Sequence, residues 1–292
     1  MTILLEGKTL SAQIRAELPD RVANIRLEAG REPHLSAVQS SEDDAASIYL
    51  NKEMEACRKI GISCRAYPVD SKTTPEEFTD LLKTISSSPL TDAVLVPRPL
   101  PKQLEQVPVC DLITPEKDID GASTYNMGRL FLCKNFREIA AAGLFVPCTA
   151  LAVVRLMRHH EITISGARIA VVGRSSTVGK PLAHMLSCLD ATATLCHSRT
   201  VDLPQVLKTC DIVISAIGKA RWLKPDMIKE GATVIDVGTN TDDKGIFCGD
   251  ADFEALKPLA SAITPVPGGV GPVTLSCLLE NIIKAAEANF RR

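Results

Sequence analysis

The stretch Ile169-Ala-Val-Val-Gly-Arg-Ser-Ser-Thr-Val-Gly179 decides the fold of the second half of the chain. Four apolar residues end directly at a glycine, and a helical pattern carrying Gly179 and Pro181 follows, which predicts a strand, a tight turn and a helix. Such a turn places free backbone N–H groups and the positive end of the helix where a phosphate group can bind. Only two glycines are present, so the full pattern G-x-G-x-x-G is not met, and a plain connection between strand and helix remains the alternative.

The end of the next predicted strand indicates which nucleotide would bind. It reads Cys196-His-Ser-Arg-Thr200, whereas a site for NAD usually has an acidic residue there that binds the ribose 2′-hydroxyl. Ser198 and Arg199, together with Arg174 in the turn, suit a 2′-phosphate instead, so the sequence favours NADP over NAD. The alternative is that both arginines are solvated surface charges. We expect His197 to be a structural hydrogen-bonding residue.

Short apolar runs alternate with helical patterns on both sides of this stretch. A βαβαβ unit is predicted from strands at Ala167–Val172, Thr192–Cys196, Ile212–Ser215 and Thr233–Val237 and a helix at Leu203–Lys208. Residues 1–145 show the same alternation with shorter strands, so the fold class is α/β, with two α/β lobes of which the second is a Rossmann-type parallel sheet. A helix from Leu275 to Ala288 is expected to return to the first lobe. The predicted domains are therefore 1–145 plus 276–292, and 146–275.

The N-terminal segment has its own helical signature. Apolar residues from Leu10 to Ile25 recur every three or four positions, which predicts one amphipathic helix that ends at Gly30.

Composition argues against several classes of function. A net charge of −2 and a pI near 6.2 give no bulk attraction to nucleic acid or to an anionic membrane, so we expect small-molecule partners or copies of the same chain. No apolar run approaches the roughly 20 residues of a membrane span, and the N-terminus lacks a signal-peptide pattern, which predicts a soluble, cytoplasmic protein. The ten cysteines show neither a Cys-x-x-Cys pair nor zinc spacing. We therefore expect reduced, mostly buried thiols and no metal site.

A set of short motifs is spread over nearly the whole chain. They are Ala46-Ser-x-x-Tyr49, Lys117-Asp-Ile-Asp-Gly121, Pro147-Cys-Thr149, Val171-Val-Gly-Arg-Ser-Ser-Thr-Val-Gly-Lys-Pro181, Cys196-His-Ser-Arg-Thr200, Asp236-Val-Gly238 and Ile263-Thr-Pro-Val-Pro-Gly-Gly-Val-Gly-Pro-Val-Thr274. Together they resemble the bifunctional methylenetetrahydrofolate dehydrogenase/cyclohydrolases and occur in that family's order. The Pro-Val-Pro-Gly-Gly-Val-Gly-Pro run is the most specific of them.

The resemblance implies two α/β lobes flanking a cleft, a homodimer, a tetrahydrofolate one-carbon substrate held by the first lobe, and NADP held by the second. The candidate cofactor residues are Thr149, Gly173, Arg174, Ser175, Val178, Ser198, Arg199, Ala216, Thr239 and Thr274. The candidate substrate residues are Tyr49, Asp120, Pro267, Gly268, Gly269, Gly271 and Pro272, and the candidate catalytic residues are Tyr49, Lys52 and Asp120. A carboxylate such as Asp120 can accept paired N–H donors from the edge of a pterin, and a glycine-rich loop lets backbone approach a flat ring. The alternative for Asp120 is an ordinary capping or turn residue.

Several positions depart from the family pattern. The family places a lysine four residues after the tyrosine and another two residues later, but this chain reads Tyr49-Leu-Asn-Lys-Glu53-Met-Glu55. Its Val96-Pro-Arg-Pro-Leu-Pro101 replaces the family's Val-Gln-Leu-Pro-Leu-Pro and removes a glutamine. Further departures are Ser41-Glu-Asp-Asp-Ala-Ala-Ser47 and Thr149-Ala-Leu-Ala152. All are expected on the folate side of the site.

The two reactions of the family depend on the lysine to different degrees. Removing a hydride from the N5,N10-methylene bridge leaves a cation stabilised by two nitrogens, so alignment matters more than a side-chain base. Hydrolysis of the methenyl group needs a positioned group that moves protons, the role attributed to the lysine in this family. Lys52 is one residue out of register, and the guanidinium of Arg98 is a poor base. Glu53 is either a base of the wrong charge or part of a solvated helix face.

Four functions are compatible with these residues. The leading hypothesis is an NADP-dependent methylenetetrahydrofolate dehydrogenase with weak or absent cyclohydrolase activity. The second is a fully bifunctional enzyme in which Lys52 substitutes for the lysine. The third is a paralogue that acts on another pterin one-carbon adduct. The fourth is a non-catalytic nucleotide-binding protein.

Overall fold

A computed structural model describes residues 2–40 and 44–290. Strands and helices alternate along the chain. The strands are β1 (Ile3–Leu4), β2 (His34–Ser40), β3 (Ser63–Val69), β4 (Ala93–Leu95), β5 (Arg168–Val172), β6 (Thr192–Cys196), β7 (Ile212–Ser215), β8 (Thr233–Asp236), β9 (Asn240–Thr241), β10 (Phe247–Cys248) and β11 (Ala262–Ile263). The helices are α1 (Lys8–Ala16), α2 (Leu18–Ala29), α3 (Asp44–Lys59), α4 (Pro75–Ser87), α5 (Val109–Leu112), α6 (Thr124–Leu132), α7 (Phe136–Ala141), α8 (Cys148–His159), α9 (Gly179–Ser187), α10 (Leu203–Lys208), α11 (Phe253–Leu256) and α12 (Val270–Phe290).

The chain forms two compact units. The first unit contains residues up to Ala12 together with Arg129–Cys277, and so includes the predicted second lobe. The second unit contains Gln13–Gly128 together with the residues from Leu278 onward, and so includes most of the predicted first lobe. Helix α12 thus begins in the first unit and continues in the second. The predicted domain boundary at 145/146 falls inside the first unit, after α6 and α7.

The first unit is built on a six-stranded sheet with strand order β1-β11-β8-β7-β5-β6. Every neighbouring pair in it is parallel. All residues of β7 and β8 are buried, as expected for central strands of a parallel sheet covered on both faces. The predicted strands at 192–196 and 212–215 and the helix at 203–208 have the observed bounds. The edge strand β1, its neighbour β11 and the β9–β10 hairpin were not predicted, and each of these strands has only two residues.

The second unit contains a three-stranded parallel sheet with strand order β3-β2-β4. The N-terminal helix predicted as one element is two, α1 and α2, with Pro19 in the first turn of α2. A proline removes a backbone donor and is tolerated in a first turn but not in a helix interior, which explains the division. The predicted end at Gly30 is correct, since Gly30 caps α2 with a left-handed φ of 68°.

Candidate functional site

The predicted phosphate turn joins β5 to α9 and has no room for additional side chains. Gly173 has a φ of 122°, and a Cβ there would collide with the carbonyl oxygen of Ala216. A Cβ on Gly179 would collide with the carbonyl oxygen of Gly173. The Ser175 hydroxyl accepts the N–H groups of Val178 at 3.1 Å and Gly179 at 3.3 Å, so it orders the start of α9. The glycines are thus required by the turn itself.

We expect Gly179→Ala to destabilise the first unit by about 3 kcal/mol, because the added methyl group meets backbone, which cannot rotate away. Gly128→Ala is the matched control. A Cβ at Gly128 meets nothing within 4 Å, and this helical glycine has an ordinary negative φ. The control should be neutral or more stable by about 0.5–1 kcal/mol. Urea unfolding of the two variants tests this, and equal stabilities would contradict the steric argument.

The second group of candidate cofactor residues lies at the end of β6, the strand next to β5. Val172 pairs with Cys196, and the Gly173 N–H donates to the Cys196 carbonyl at 3.0 Å. Arg174 and the Ser198-Arg199 pair therefore follow adjacent ends of neighbouring strands, and all three side chains are exposed.

His197 holds the turn after β6 in place. Its Nδ1 accepts the Arg199 N–H at 3.1 Å, and its own N–H donates to the Thr200 hydroxyl at 2.9 Å. His197 thus has the structural role predicted for it.

The remaining cofactor candidates occupy two kinds of position. Ala216 and Thr239 follow the carboxyl ends of β7 and β8, the edge of a parallel sheet where nucleotides bind. Thr149 is a half-buried residue of α8. Thr274 is in α12, where its hydroxyl donates to the Val270 carbonyl at 3.3 Å. Ala216 is the one whose contact with the phosphate turn the structure shows directly, through Gly173.

Two buried aspartates, missed by the sequence analysis as functional residues, fix this edge of the sheet. The Asp250 carboxylate accepts the Ser215 hydroxyl at 3.0 Å and the N–H groups of Ile217 and Lys219, both at 2.8 Å. Asp236 in turn accepts the Asp250 N–H at 2.9 Å. Burial, and secondarily the charge of Asp250, raise the pKa of Asp236 to about 6, although the backbone N–H groups that donate to its carboxylate act in the opposite direction. The network holds the loop that carries Ala216 against the phosphate turn.

Glycines make this aspartate network possible. A Cβ on Gly238 would collide with the Asp250 carboxylate, and a Cβ on Gly249 would collide with the Asp236 carboxylate. In the sequence, each of the two aspartates is close to a glycine, in Asp236-Val-Gly238 and in Gly249-Asp250. Because the two segments pair only in the folded chain, their relation was not readable from spacing.

In the second unit, Tyr49, Glu53 and Asp120 lie near one another. Tyr49 and Glu53 are one turn apart on α3, and Tyr49 is 44% exposed while Glu53 is half-buried. Burial and the nearby Asp120 carboxylate raise the pKa of Glu53 to about 8. Burial and the charge of Glu53 raise the pKa of Tyr49. Glu53 is therefore not on a solvated helix face, which corrects that interpretation of the sequence.

Two cationic residues were considered as substitutes for the family's lysine, and their environment differs from that of Glu53. Lys52 and Arg98 are both exposed. The charge acting on Glu53 is that of Asp120, so two acidic residues influence each other at this position. The departures at Ser41 to Asp43 lie outside the described residues.

The ionisation of Glu53 should make stability depend on pH. The folded protein keeps this proton up to about pH 8, whereas the pKa of an unperturbed glutamate is 4.5. The folded state therefore binds more protons between these values, so the free energy of unfolding falls as pH rises through the window. Since the side chain is partly exposed, we discount the full shift and expect a loss of about 1–2 kcal/mol between pH 5 and pH 9.

Glu53→Gln should remove this loss, which urea unfolding across the pH range would measure. Glu55→Gln is the control, because Glu55 is an exposed residue paired with Lys59 at 2.7 Å and should keep the wild-type pH dependence. Asp236 also titrates in this range but does so in all three proteins, so its contribution cancels. Parallel pH curves for wild type and Glu53→Gln would contradict the assignment.

Asp118, two residues before Asp120, has the capping role that was the alternative for Asp120. The buried Asp118 carboxylate accepts the N–H groups of Ala122 at 3.0 Å and Ser123 at 2.7 Å, and the Asn126 side-chain amide at 2.9 Å. It therefore organises the turn into α6, and Asp120 follows at a half-buried position of the same turn.

The predicted loop from Pro267 to Pro272 lies in the first unit. Gly268 has a φ of 113°, and its carbonyl accepts the Gly7 N–H at 2.8 Å. A Cβ on Gly269 would lie 2.7 Å from the Pro265 carbonyl oxygen. Gly271 and Pro272 are in the first turn of α12. The glycines keep this loop close to the backbone of the N-terminal segment.

With these geometries in place, comparison with known proteins identifies the family. A model described as "Tetrahydrofolate dehydrogenase/cyclohydrolase, catalytic domain" matches residues 5–120, and one described as "Tetrahydrofolate dehydrogenase/cyclohydrolase, NAD(P)-binding domain" matches residues 147–290. A curated relative from Elusimicrobium minutum, called bifunctional protein FolD, is 52% identical over 285 residues, which cover 98% of this chain and 99% of the relative.

Solved structures agree with this relationship. The bifunctional FolD enzyme from Campylobacter jejuni is 36% identical, with a TM-score of 0.90 over 99% of both chains. The Trypanosoma brucei enzyme, complexed with NADP cofactor and inhibitor, is 31% identical, with a TM-score of 0.89 over 100% of this chain and 99% of that one. The chain belongs to the tetrahydrofolate dehydrogenase/cyclohydrolase family and has its two-domain α/β fold with an NAD(P)-binding, Rossmann-like domain.

No helix within residues 2–40 and 44–290 combines the length and the apolar character needed to cross a membrane.

Proposed function

We propose that this member of the tetrahydrofolate dehydrogenase/cyclohydrolase family is an NADP-dependent 5,10-methylenetetrahydrofolate dehydrogenase whose cyclohydrolase activity is weak or lost. The observation that carries the proposal is the half-buried Glu53, next to Asp120, at the position of the family's lysine. A carboxyl group cannot supply the positive charge of an ammonium at that point. Oxidation of the methylene bridge does not require this charge, whereas hydrolysis of the methenyl group does require a group that moves protons.

The residues of the first unit fit a dinucleotide. When bound, the nicotinamide ring supplies the acceptor for the hydride. We place the pyrophosphate at the turn between β5 and α9, where the exposed Arg174 can pair with it. Ser198 and Arg199 follow the end of β6, where a ribose 2′-phosphate would need cationic and hydroxyl donors. The absence of an acidic residue in this segment favours NADP over NAD.

Arg199→Ala should raise KM for NADP by about 10–100-fold, the effect of losing one charge-assisted hydrogen bond, and leave KM for NAD nearly unchanged. Lys208→Ala, at an exposed lysine in the last turn of α10, is the control for loss of one surface positive charge. Steady-state kinetics with both nucleotides would measure the effect. Equal losses for NADP and NAD would argue against a 2′-phosphate site at Arg199.

In the second unit, we propose that Asp120 accepts N–H donors from the pterin edge and that Tyr49 borders the one-carbon bridge. The proximity of Tyr49, Glu53 and Asp120 supports this proposal. The glycine-rich loop from Pro267 to Pro272 belongs to the first unit, and its contact with the substrate stays a prediction. Lys52 is exposed, and we give it no catalytic role.

The activity assay separates the two reactions. Purified protein is mixed with methylenetetrahydrofolate and NADP, and NADPH formation is recorded together with the absorbance of methenyltetrahydrofolate. We expect stoichiometric accumulation of the methenyl product. Decay of that product faster than in buffer would show that the chain is fully bifunctional, the second candidate, which the naming of its 52% identical relative as bifunctional favours.

Two other outcomes would change the substrate or the class of protein. NADP binding without binding of any reduced folate would favour a paralogue acting on another pterin adduct. Absence of hydride transfer from every folate tested would favour a non-catalytic nucleotide-binding protein. The homodimer implied by the motifs also stays a prediction, which light scattering of the purified protein would test.

A further inference from the structure

One carboxylate in the first unit joins two segments that carry candidate cofactor residues. Asp250 lies just after β10 and is completely buried. Its Oδ2 accepts the Ile217 N–H at 2.8 Å and the Ser215 hydroxyl at 3.0 Å. Its Oδ1 accepts the Lys219 N–H at 2.8 Å and the Asn240 side-chain amide at 2.9 Å. Each carboxylate oxygen therefore accepts two donors, which the single oxygen of an asparagine amide could not do for all four.

The donors to this carboxylate belong to the segments that border the candidate nucleotide site. Ile217 follows Ala216 in the loop after β7, and Asn240 follows Thr239 at the start of β9. The loop after β7 also packs against the phosphate turn, because a Cβ on Gly173 would lie 2.2 Å from the Ala216 carbonyl oxygen. The buried carboxylate thus sets the spacing between the loop of Ala216 and the segment of Thr239.

Asp250 is itself anchored to the sheet. Its own N–H donates to Asp236 Oδ1 at 2.9 Å, and the N–H of Ala251 donates to Asp236 Oδ2 at 2.7 Å. Asp236 is the last residue of β8, a central strand. A Cβ on Gly238 would lie 2.1 Å from Asp250 Oδ1, so the carboxylate has no free space on that side. Its position is therefore determined by the sheet, and the two segments take their position from it.

We propose that Asp250 is a positioning residue of the nucleotide site, on which the affinity for the dinucleotide depends through the segments that its carboxylate holds. Because Asp250 is completely buried, a bound nucleotide cannot reach it, and it acts only through those segments. Loss of one acceptor oxygen would release a segment, and the nucleotide would then have to order that segment on binding. The entropy lost in this ordering weakens affinity without removing a contact.

A positioning role has a different signature from a contact with the 2′-phosphate. NADP and NAD share every group except that phosphate, for which the candidate side chains Ser198 and Arg199 follow β6. Release of a segment held by Asp250 should therefore weaken both nucleotides by the same factor, whereas Arg199→Ala should weaken NADP alone. The proposal requires only that the first unit binds a dinucleotide, so it does not depend on the proposed loss of cyclohydrolase activity.

The test compares two variants that disturb opposite edges of the same sheet. Asp250→Asn keeps the shape of the side chain, but its amide N–H groups face the N–H of either Ile217 or Lys219, which cannot accept them. Asp211→Asn is the matched control. The Asp211 carboxylate accepts the Arg168 N–H at 2.8 Å and lies just before β7, at the amino end of that strand. The control thus weakens a similar bond away from the candidate cofactor residues.

Calorimetric titration of the full-length protein with NADP and with NAD, without folate, gives the dissociation constants. It is carried out at a temperature where thermal unfolding shows each variant to be folded. We expect Asp250→Asn to raise both constants about ten-fold, the effect of losing one hydrogen bond to a charged group, and Asp211→Asn to change neither by more than about two-fold. Unchanged constants in folded Asp250→Asn would overturn the proposal, since the carboxylate would then only stabilise the fold. A rise for NADP alone would overturn it as well.

A second variant decides the question if Asp250→Asn does not fold. Asn240→Ala removes one donor at the start of β9 and leaves the carboxylate with its three other bonds. It should raise both dissociation constants about three-fold, and unchanged constants would overturn the proposal. If the constants respond as expected while the methenyl product decays faster than in buffer, the proposed function is wrong and the role of Asp250 is established.

Discussion

Glu53→Lys is expected to raise the rate of methenyltetrahydrofolate hydrolysis by about 10–100-fold, with a much smaller effect on hydride transfer. The substitution places an ammonium group where a half-buried carboxyl now lies next to Asp120. A positioned acid or base contributes roughly 10²–10⁴-fold to such a step. We expect the lower part of this range, because the predicted register places Pro97 where the family has a glutamine.

The electrostatics of the site favour this replacement. In the wild-type protein Glu53 and Asp120 are both acidic, and their proximity raises the pKa of Glu53 to about 8. A lysine at position 53 would instead form an attractive pair with Asp120, which compensates part of the free energy needed to bury its charge. The variant should therefore fold, and its stability should no longer fall between pH 5 and pH 9 as that of the wild type does.

Two further variants show whether faster hydrolysis in Glu53→Lys comes from the ammonium group at position 53. Glu55→Lys introduces the second lysine of the family pattern, at an exposed site one half-turn away, and should leave hydrolysis unchanged. Glu53→Gln removes the acidic group without adding an ammonium, so any gain it shows reports relief of repulsion rather than proton transfer. Following the decay of added methenyltetrahydrofolate compares all three variants with wild type. Equal rates in Glu53→Lys and Glu55→Lys would contradict the assignment of position 53.

The accuracy of sequence-based prediction differs between the two halves of this site. Strands β6 and β7 and the turn at Gly173 were predictable because each is encoded locally, by an apolar run that ends at a turn. The Asp236–Asp250 network was not, because it joins segments 14 residues apart through backbone N–H groups whose direction only the fold determines. The strand pair β1 and β11 was missed for a similar reason, since two-residue strands have no periodicity.

Glu53 shows the same limit at the level of one residue. The register of Glu53 relative to Tyr49 can be read from the sequence, and the predicted loss of the lysine rests on that register. Whether a helical glutamate is solvated depends on what packs over it, and here the turn containing Asp120 comes near its carboxyl group. The same turn separates two aspartates that look alike in Lys117-Asp-Ile-Asp-Gly121. The contacts of Asp118 assign it to the turn, and Asp120 is the aspartate that we propose for the substrate.

Asp120→Asn is expected to lower kcat/KM for methylenetetrahydrofolate by about 10²–10³-fold without a comparable loss of stability. A carboxylate accepts paired N–H donors at charge-assisted strength, each bond contributing about 1.5–3 kcal/mol. The amide of asparagine keeps one acceptor and turns a donor towards the second pterin N–H, so one bond is lost and a repulsion is added. KM for NADP should change little, because the cofactor candidates lie in the other unit.

Asp118→Asn is the matched control and should give the opposite pattern. Its buried carboxylate accepts three N–H donors within the turn, so we expect a loss of about 1–3 kcal/mol in the free energy of unfolding and little change in kcat/KM for the folded fraction. Asp120→Asn should also bring the pKa of Glu53 down, since it removes the neighbouring negative charge, and the pH dependence of stability should weaken with it. If Asp120→Asn instead lost stability and kept its kcat/KM, Asp120 would be a structural residue of the turn and the proposed pterin contact would be wrong.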